Sequence, residues 1–268
     1  MRRALNLLAT ATTIACALSG GVAAGAAKDP VTDAVRLRFD DTSSELGAAQ
    51  MAATNRGYAE VRAEVRTLNG GAMVSAAARD GQGHAVRFPA AGEDPSPVAV
   101  LGIWNTTSDD ALSPGARNFA FGADFRLDGT LGASEFDNGD NLVQRGLADD
   151  AGQYKIEIDK RVPACSVAGT AGHVTVRSEV TVNTEGWYRV KCERSGSTVS
   201  IAVGEYGPDG SVSMTKNSVE APTGHVATAS PSTPMTVGGK MTPTGEIATW
   251  SPDQFNGHVD NVFLRMDG

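Results

Sequence analysis

Aromatic residues are scarce in this 268-residue chain, at 6% with three tryptophans and four tyrosines. Sugar sites usually want aromatic faces for ring stacking, so a broad stacking platform is excluded and any such contact falls to one or two rings. Basic residues are also outnumbered, 23 Lys and Arg against 31 Asp and Glu, for a net charge of −8. Phosphate backbones and anionic membranes bind clustered Lys and Arg that release counterions, so nucleic acid and lipid surfaces are poor partners for this balance. The four histidines, His84, His173, His225 and His258, stand far apart, each most simply a surface or strand-edge residue. No H-E-x-x-H, no G-x-S-x-G elbow and no D-x-[DN]-x-[DN]-G loop occurs. The local signatures of zinc peptidases, α/β-hydrolases and EF-hands are therefore missing, while a Ser-His-Asp set assembled from distant segments stays open. No repeat of solenoid or propeller period appears either.

Cysteine is nearly absent, with three in all, and the amino terminus decides what they mean. Met1-Arg2-Arg3 precedes an uncharged run from Ala4 to Ala27, and Ala24-Gly25-Ala26 is an A-x-A cleavage pattern. This reads as a secretory signal peptide over residues 1–26, followed by one domain over 27–268 and no transmembrane span after cleavage. A membrane anchor and a lipoprotein signal ending at Cys16 are the competing readings. Cleavage removes Arg2 and Arg3 and no acid, which takes the net charge to about −10. It also removes Cys16, leaving Cys165 and Cys192 in a compartment where thiols oxidise. They are expected to pair, closing a loop of about 26 residues for roughly 3 kcal/mol; two buried thiols are the alternative.

What the chain has in abundance is strand pattern, with 31 glycines and 12 prolines to punctuate it. Phe119, Phe121, Ala123, Phe125 and Leu127 alternate with Ala120, Gly122, Asp124, Arg126 and Asp128, so three phenylalanines face one side. Tyr154, Ile156 and Ile158 alternate with Lys155, Glu157 and Asp159 in the same way. Val35, Leu37 and Phe39 mark a first strand, and Ala59 to Val65 alternate before the Asn69-Gly70-Gly71 turn, although a helix would tolerate that second segment. Val98 to Trp104 is apolar on both faces and reads as an interior strand. Between Asp140 and Arg194 four short strands are written, two of which carry Cys165 and Cys192. The expected fold class is all-β, a two-sheet antiparallel sandwich.

Asp140-Asn141-Leu142-Val143-Gln144-Arg145-Gly146, Gly186-Trp187-Tyr188, Met235-Thr236-Val237-Gly238-Gly239 and Gln254 to Leu264 together resemble the laminin G-like (LamG-like, concanavalin A-like) jelly roll of secreted bacterial proteins. The resemblance covers residues 31 to 266 roughly, and is clearest after Phe119. It implies a secreted, non-catalytic module that recognises an extracellular glycan or a surface protein. A polysaccharide-degrading enzyme of the glucanase or lyase type is the alternative, and a structural envelope protein a third. The fold's glycosidases carry a Glu-x-Asp-x-x-Glu strand, which Glu135, Asp137 and Asp140 approach, but the turn signal Asn138-Gly139 breaks it. A structural calcium ion is implied too, with Asp260 matching the acid of the closing strand and further ligands expected around Asp40 or Asp41. For ligand contact Trp250 and Tyr206 stand out, because each lies beside turn residues, Ser251-Pro252 and Gly207-Pro208. Trp104 and Trp187 read as packing residues.

Overall fold

The computed structural model describes residues 33–40, 53–81, 83–90, 95–128 and 139–267. The leader with Cys16, Asp41, Glu135 and Asp137 lie outside the described residues. Within them the strands are β1 (Asp33–Leu37), β2 (Val61–Leu68), β3 (Val74–Ala77), β4 (His84–Arg87) and β5 (Val98–Asn105). Then follow β6 (Phe119–Leu127), β7 (Asp140–Arg145), β8 (Gln153–Asp159), β9 (Val162–Gly169) and β10 (Gly172–Arg177). The last five are β11 (Tyr188–Ser195), β12 (Thr198–Glu205), β13 (Thr215–Glu220), β14 (Met235–Val237) and β15 (Gly257–Met266).

Two antiparallel sheets form a jelly-roll sandwich. One runs β13-β12-β11-β6-β15-β4-β3 with β1 also on β15; the other runs β10-β9-β8-β7-β14-β5-β2. Successive strands β5, β6 and β7 alternate between the sheets, so β6 lies between the sequence-distant β11 and β15, while β7 to β10 and β11 to β13 pair in sequence order. The period-two pattern of β6 dictates its place. Phe119, Phe121, Ala123, Phe125 and Leu127 all lie in the main core, and the intervening residues face outward. Tyr154 closes an aromatic group with Phe119 and Phe121, its ring 4.8 Å from that of Phe121, and donates its hydroxyl to the Leu112 carbonyl.

The β5 expectation holds on both faces. Ala99, Leu101 and Ile103 enter the main core, while Val98, Val100 and Trp104 form a second cluster with Met241 and Ile247. Room for that second cluster comes from Gly102, since a Cβ there would meet the Trp104 ring at 2.2 Å. Cys165 of β9 and Cys192 of β11 form a disulfide between the two sheets, with Cα atoms 5.7 Å apart and both residues fully buried. Residues 140–195 hold five strands rather than four. The extra one is β10, an edge strand whose exposed residues interrupt the apolar pattern. Segment 59–66, where a helix was tolerable, is extended as β2 and pairs with β5.

Candidate functional site

The outer face of the eight-stranded sheet carries a concentration of polar side chains, and a β-bulge shapes it. On β15 the register against β6 slips between Asp260 and Phe263, and Asn261 takes a left-handed φ of 49°. An extra residue in one strand re-aims side chains locally. Here it lets consecutive residues, Asp260 and Asn261, line the same cavity of 340 Å³. It also reverses the phase of the rest of the strand, so that Val262, Leu264 and Met266 go to the core and Phe263 goes outward.

Asp124 of β6 is the centre of this cavity. The Arg189 guanidinium grips it as a fork, Nε to Oδ1 at 2.7 Å and Nη2 to Oδ2 at 2.9 Å. Tyr206 donates its hydroxyl to Oδ2 at 3.0 Å and Asn261 its amide at 2.8 Å. Burial and the Asp124 charge push the Tyr206 hydroxyl up to about 12. The ring of Tyr206 is engaged as well, with the Arg79 guanidinium 4.5 Å and that of Arg189 5.6 Å from its centre.

Asp260 is less well compensated than Asp124. It accepts from the Asn261 backbone amide at 2.7 Å and from the Asn261 side chain at 3.1 Å. Burial, and then the charges of Asp124 and Asp40, outweigh the Asn261 amide and Arg38 and raise its carboxyl to about 6. The structure therefore gathers Asp260, Asp40 and Tyr206 at one place, and adds Asp124, Arg189 and Asn261.

A calcium ion takes six to eight oxygen ligands. Asp260, with its under-compensated charge, and Asp40, whose Oδ1 accepts the His84 backbone amide at 3.1 Å, are the carboxylates of this cavity chemically suited to one. Asp124 is not, since four donors occupy its oxygens. Among the described residues no group of three His, Cys, Asp or Glu side chains converges for metal binding. Any cation here would complete its shell largely with water or ligand oxygens.

Arg38, Arg189 and Asn261 also line a second, wider cavity of 760 Å³ that continues across β1, β6, β11, β13 and β15. Its floor is apolar. Phe263 lies opposite Gly122 in register, and a Cβ on Gly122 would meet the Val190 carbonyl oxygen at 2.1 Å and the Phe263 ring at 3.0 Å, so the glycine keeps the floor low beside the ring. Met214 and Ala202 extend this floor towards β12 and β13, and the walls are charged.

Trp250 stands elsewhere, 69% exposed and flanking a shallow cavity of 160 Å³ with Gln144, Gln153, Lys155 and Lys240, residues of the seven-stranded sheet and of the loop over it. Among the described residues the buried Gln144 Oε1 in this cavity has no hydrogen-bond partner, while its amide donates to the Gly146 carbonyl at 2.7 Å. The structure does not bring Trp250 and Tyr206 together. Trp104 and Trp187 are both buried, Trp187 edge-on to His258.

The histidines remain apart. His84 Nδ1 lies 3.1 Å from Ser75 Oγ, but Asp40 meets its backbone amide rather than its ring, so no Ser-His-Asp relay forms there. His258 packs between Arg126 and Asp128, and burial and Arg126 outweigh Asp128 to lower it to about 4. Asp140, the last acid of the broken glycosidase pattern, is buried at the start of β7.

Phe263, Asp124 and Arg189 were not singled out from sequence. Their signal was present: Asp124 and Arg189 are outward positions of two period-two strands, and the Val262, Leu264, Met266 alternation places Phe263 opposite the core.

Together these features define a two-sheet jelly-roll β-sandwich with an open, polar sheet face. No family model matches the chain, and no curated protein matches it. Among solved structures it is similar to the LG1-3 region of the laminin alpha2 chain, with 18% identity, 57% of this chain and 30% of that chain covered, and a TM-score of 0.43. It is similar to the binding domain of Paraclostridial Mosquitocidal Protein 1, with 7% identity, 88% and 49% covered, and a TM-score of 0.47. It is also similar to the carbohydrate binding module CBM66 from Bacillus subtilis, with 12% identity, 75% and 94% covered, and a TM-score of 0.35. The chain spans under half the length of the first two. These likenesses concern the fold alone. No helix among the described residues is long and apolar enough to cross a membrane.

Proposed function

We propose that the chain is a secreted, non-catalytic module that binds an extracellular glycan, free or displayed on a cell surface, in the wide cavity on the outer face of the eight-stranded sheet. The observation that carries this reading is the cavity itself: 760 Å³, with an apolar floor around Phe263 and Met214 and polar walls. Its volume falls within the roughly 300–1,000 Å³ of ligand pockets, and an apolar floor with convergent polar groups suits a sugar's C–H face and hydroxyls. The proposal includes a structural calcium ion held by Asp260 and Asp40, which would neutralise the charge that burial leaves on Asp260. Trp250 is a second contact of the proposal, reserved for the opposite face.

One observation favours a polysaccharide-degrading enzyme instead. Burial raises the Asp260 carboxyl to about 6, and a carboxyl that keeps its proton towards neutral pH is what a general acid needs. Against it, Asp124 accepts four hydrogen bonds and has little freedom to act on a substrate. Retention of the purified protein on a polysaccharide panel, with the same wells assayed for new reducing ends, decides between them. Retention without release supports the module; release that disappears in Asp260→Asn replaces it with the enzyme.

A further inference from the structure

The charges of the wide cavity are sorted against the rest of the chain. Seven of its lining side chains are basic and three acidic, in a protein of net charge −8. Arg194 is set aside first, because it is buried and its guanidinium is spent on the carbonyls of Gly224, Gly115 and Arg117. Of the rest, Arg189 is held by Asp124 and Asp267 offsets Arg38 in the count, and the other two acids are each shared between two cations. Asp33 lies 2.8 Å from Arg265 and 3.8 Å from Arg36. Glu193 lies 3.1 Å from Lys191 and 3.7 Å from Lys216. Burial works against the Glu193 carboxylate, yet the two lysines outweigh it and hold it below its usual range.

Each shared acid thus cancels one of its two cations and leaves the other in excess. The four cations involved are accessible, with side chains 39% to 57% exposed. Two surplus charges flank the apolar floor on which Phe263 lies. The same face shows how its cations meet a carboxylate, for Arg189 forks Asp124 through two hydrogen bonds. Guanidinium and carboxylate planes match in this geometry, and such pairs are about twice as strong as neutral hydrogen bonds.

Resting on the reading of this cavity as a glycan site, we infer that its ligand is a uronic-acid polysaccharide, bound with sugar rings over the Phe263 floor and carboxylates on the surplus cations at Asp33 and Glu193. A nucleic acid fits less well. Its charge density calls for a long run of phosphate-neutralising cations, and here the excess is two, on a chain whose remaining surface is acidic.

The test uses the full mature chain and affinity measurements on polygalacturonate, alginate, neutral dextran, dextran sulfate and duplex DNA. Polygalacturonate or alginate is expected to bind, more weakly as salt rises, and dextran is not. The double variant Arg36→Ala/Lys216→Ala removes the more distant cation from each shared acid and leaves each with its nearer one. It should melt as the parent does and bind the uronate polymer about tenfold or more weakly, because charge-assisted hydrogen bonds are lost. Unchanged uronate affinity in the double variant overturns the inference, as does equal binding of dextran sulfate or DNA, which would mark simple cation exchange. Retention of neutral glycan alone overturns it while the glycan-module reading survives. Retention of no glycan at all removes both.

Discussion

The outer faces of the two sheets are finished in opposite ways. On the seven-stranded sheet, Val98, Val100 and Trp104 of β5 are roofed by Met241 and Ile247, with the Arg62 guanidinium laid against the Trp104 ring 4.7 Å from its centre. On the eight-stranded sheet, β6 and β11 turn Asp124, Arg189, Lys191 and Glu193 outward over a floor kept low by Gly122, Ala120 and Ala202. A second small core stabilises the first face and leaves little to bind. The second face keeps polar groups and space together, and an exposed concentration of that kind is what a ligand can use.

The largest effect should come from breaking the roofed face. Trp104→Ala removes a buried indole and leaves Gly102 and Gly245 facing a void, since a Cβ on either would touch the indole at 2.2 and 3.1 Å. A loss of about 3–5 kcal/mol in unfolding free energy is expected from denaturant titration, with glycan affinity of the folded fraction unchanged. A midpoint shifted by less than a few tenths would mean that the roof is not packed, and the contrast between the faces would fall with it.

The sequence made the strands of both faces legible and left their use unread. The phenylalanines of β6 announced their inward side because burial imposes a period of two, and the same period located β8 and the interior β5. Asp124 and Arg189 were legible only as outward positions, because β6 and β11 become neighbours through a crossover that no local pattern records. Phe263 was legible as the outward partner of Val262, Leu264 and Met266, but the bulge at Asn261, which shifts the phase of β15 midway, left unread that Asp260 and Asn261 line one cavity. The acidic composition pointed away from polyanions, but it averages over the whole surface, whereas folding collects seven basic side chains around one cavity. Trp250 was legible as an exposed ring beside a turn, and its exposure is borne out; that it sits across the molecule from Tyr206 depended on the sheet order.

A smaller effect sharpens the polar face. The Asp260 carboxyl is raised from 3.8 to about 6, so the folded state favours its protonated form. Its contribution to stability is fully present below about pH 3.8 and is lost as pH rises through about 6. His258 works in the other direction: lowered from 6.5 to about 4, it supports the fold above 6.5 and withdraws that support as pH falls through 4. The two windows overlap, so the parent's pH profile is a sum, and the comparison of parent with Asp260→Asn isolates the carboxyl. In chelated buffer the variant should gain about 1 kcal/mol on the parent between pH 4 and pH 8, allowing for solvent screening. Calcium added at pH 8 should raise the parent's melting temperature and leave the variant's unmoved. Equal responses, or none, would sink the proposed ion site while leaving the wide cavity intact.

The smallest effect belongs to Trp250. With 69% of its surface already in water, Trp250→Ala gives up little burial, and its unfolding free energy should stay within about 0.5 kcal/mol of the parent. Its value lies in the binding measurement. The neighbouring Gln144 is buried with an oxygen that accepts nothing from the described residues, and such an atom is costly unless something donates to it. Trp250 and Gln144 stand on the seven-stranded sheet, so Trp250→Ala should leave uronate binding on the other sheet unchanged. If uronate affinity fell with it by a factor of ten, the two faces would belong to one binding surface, and the opposition between a packed face and a binding face would no longer describe the molecule.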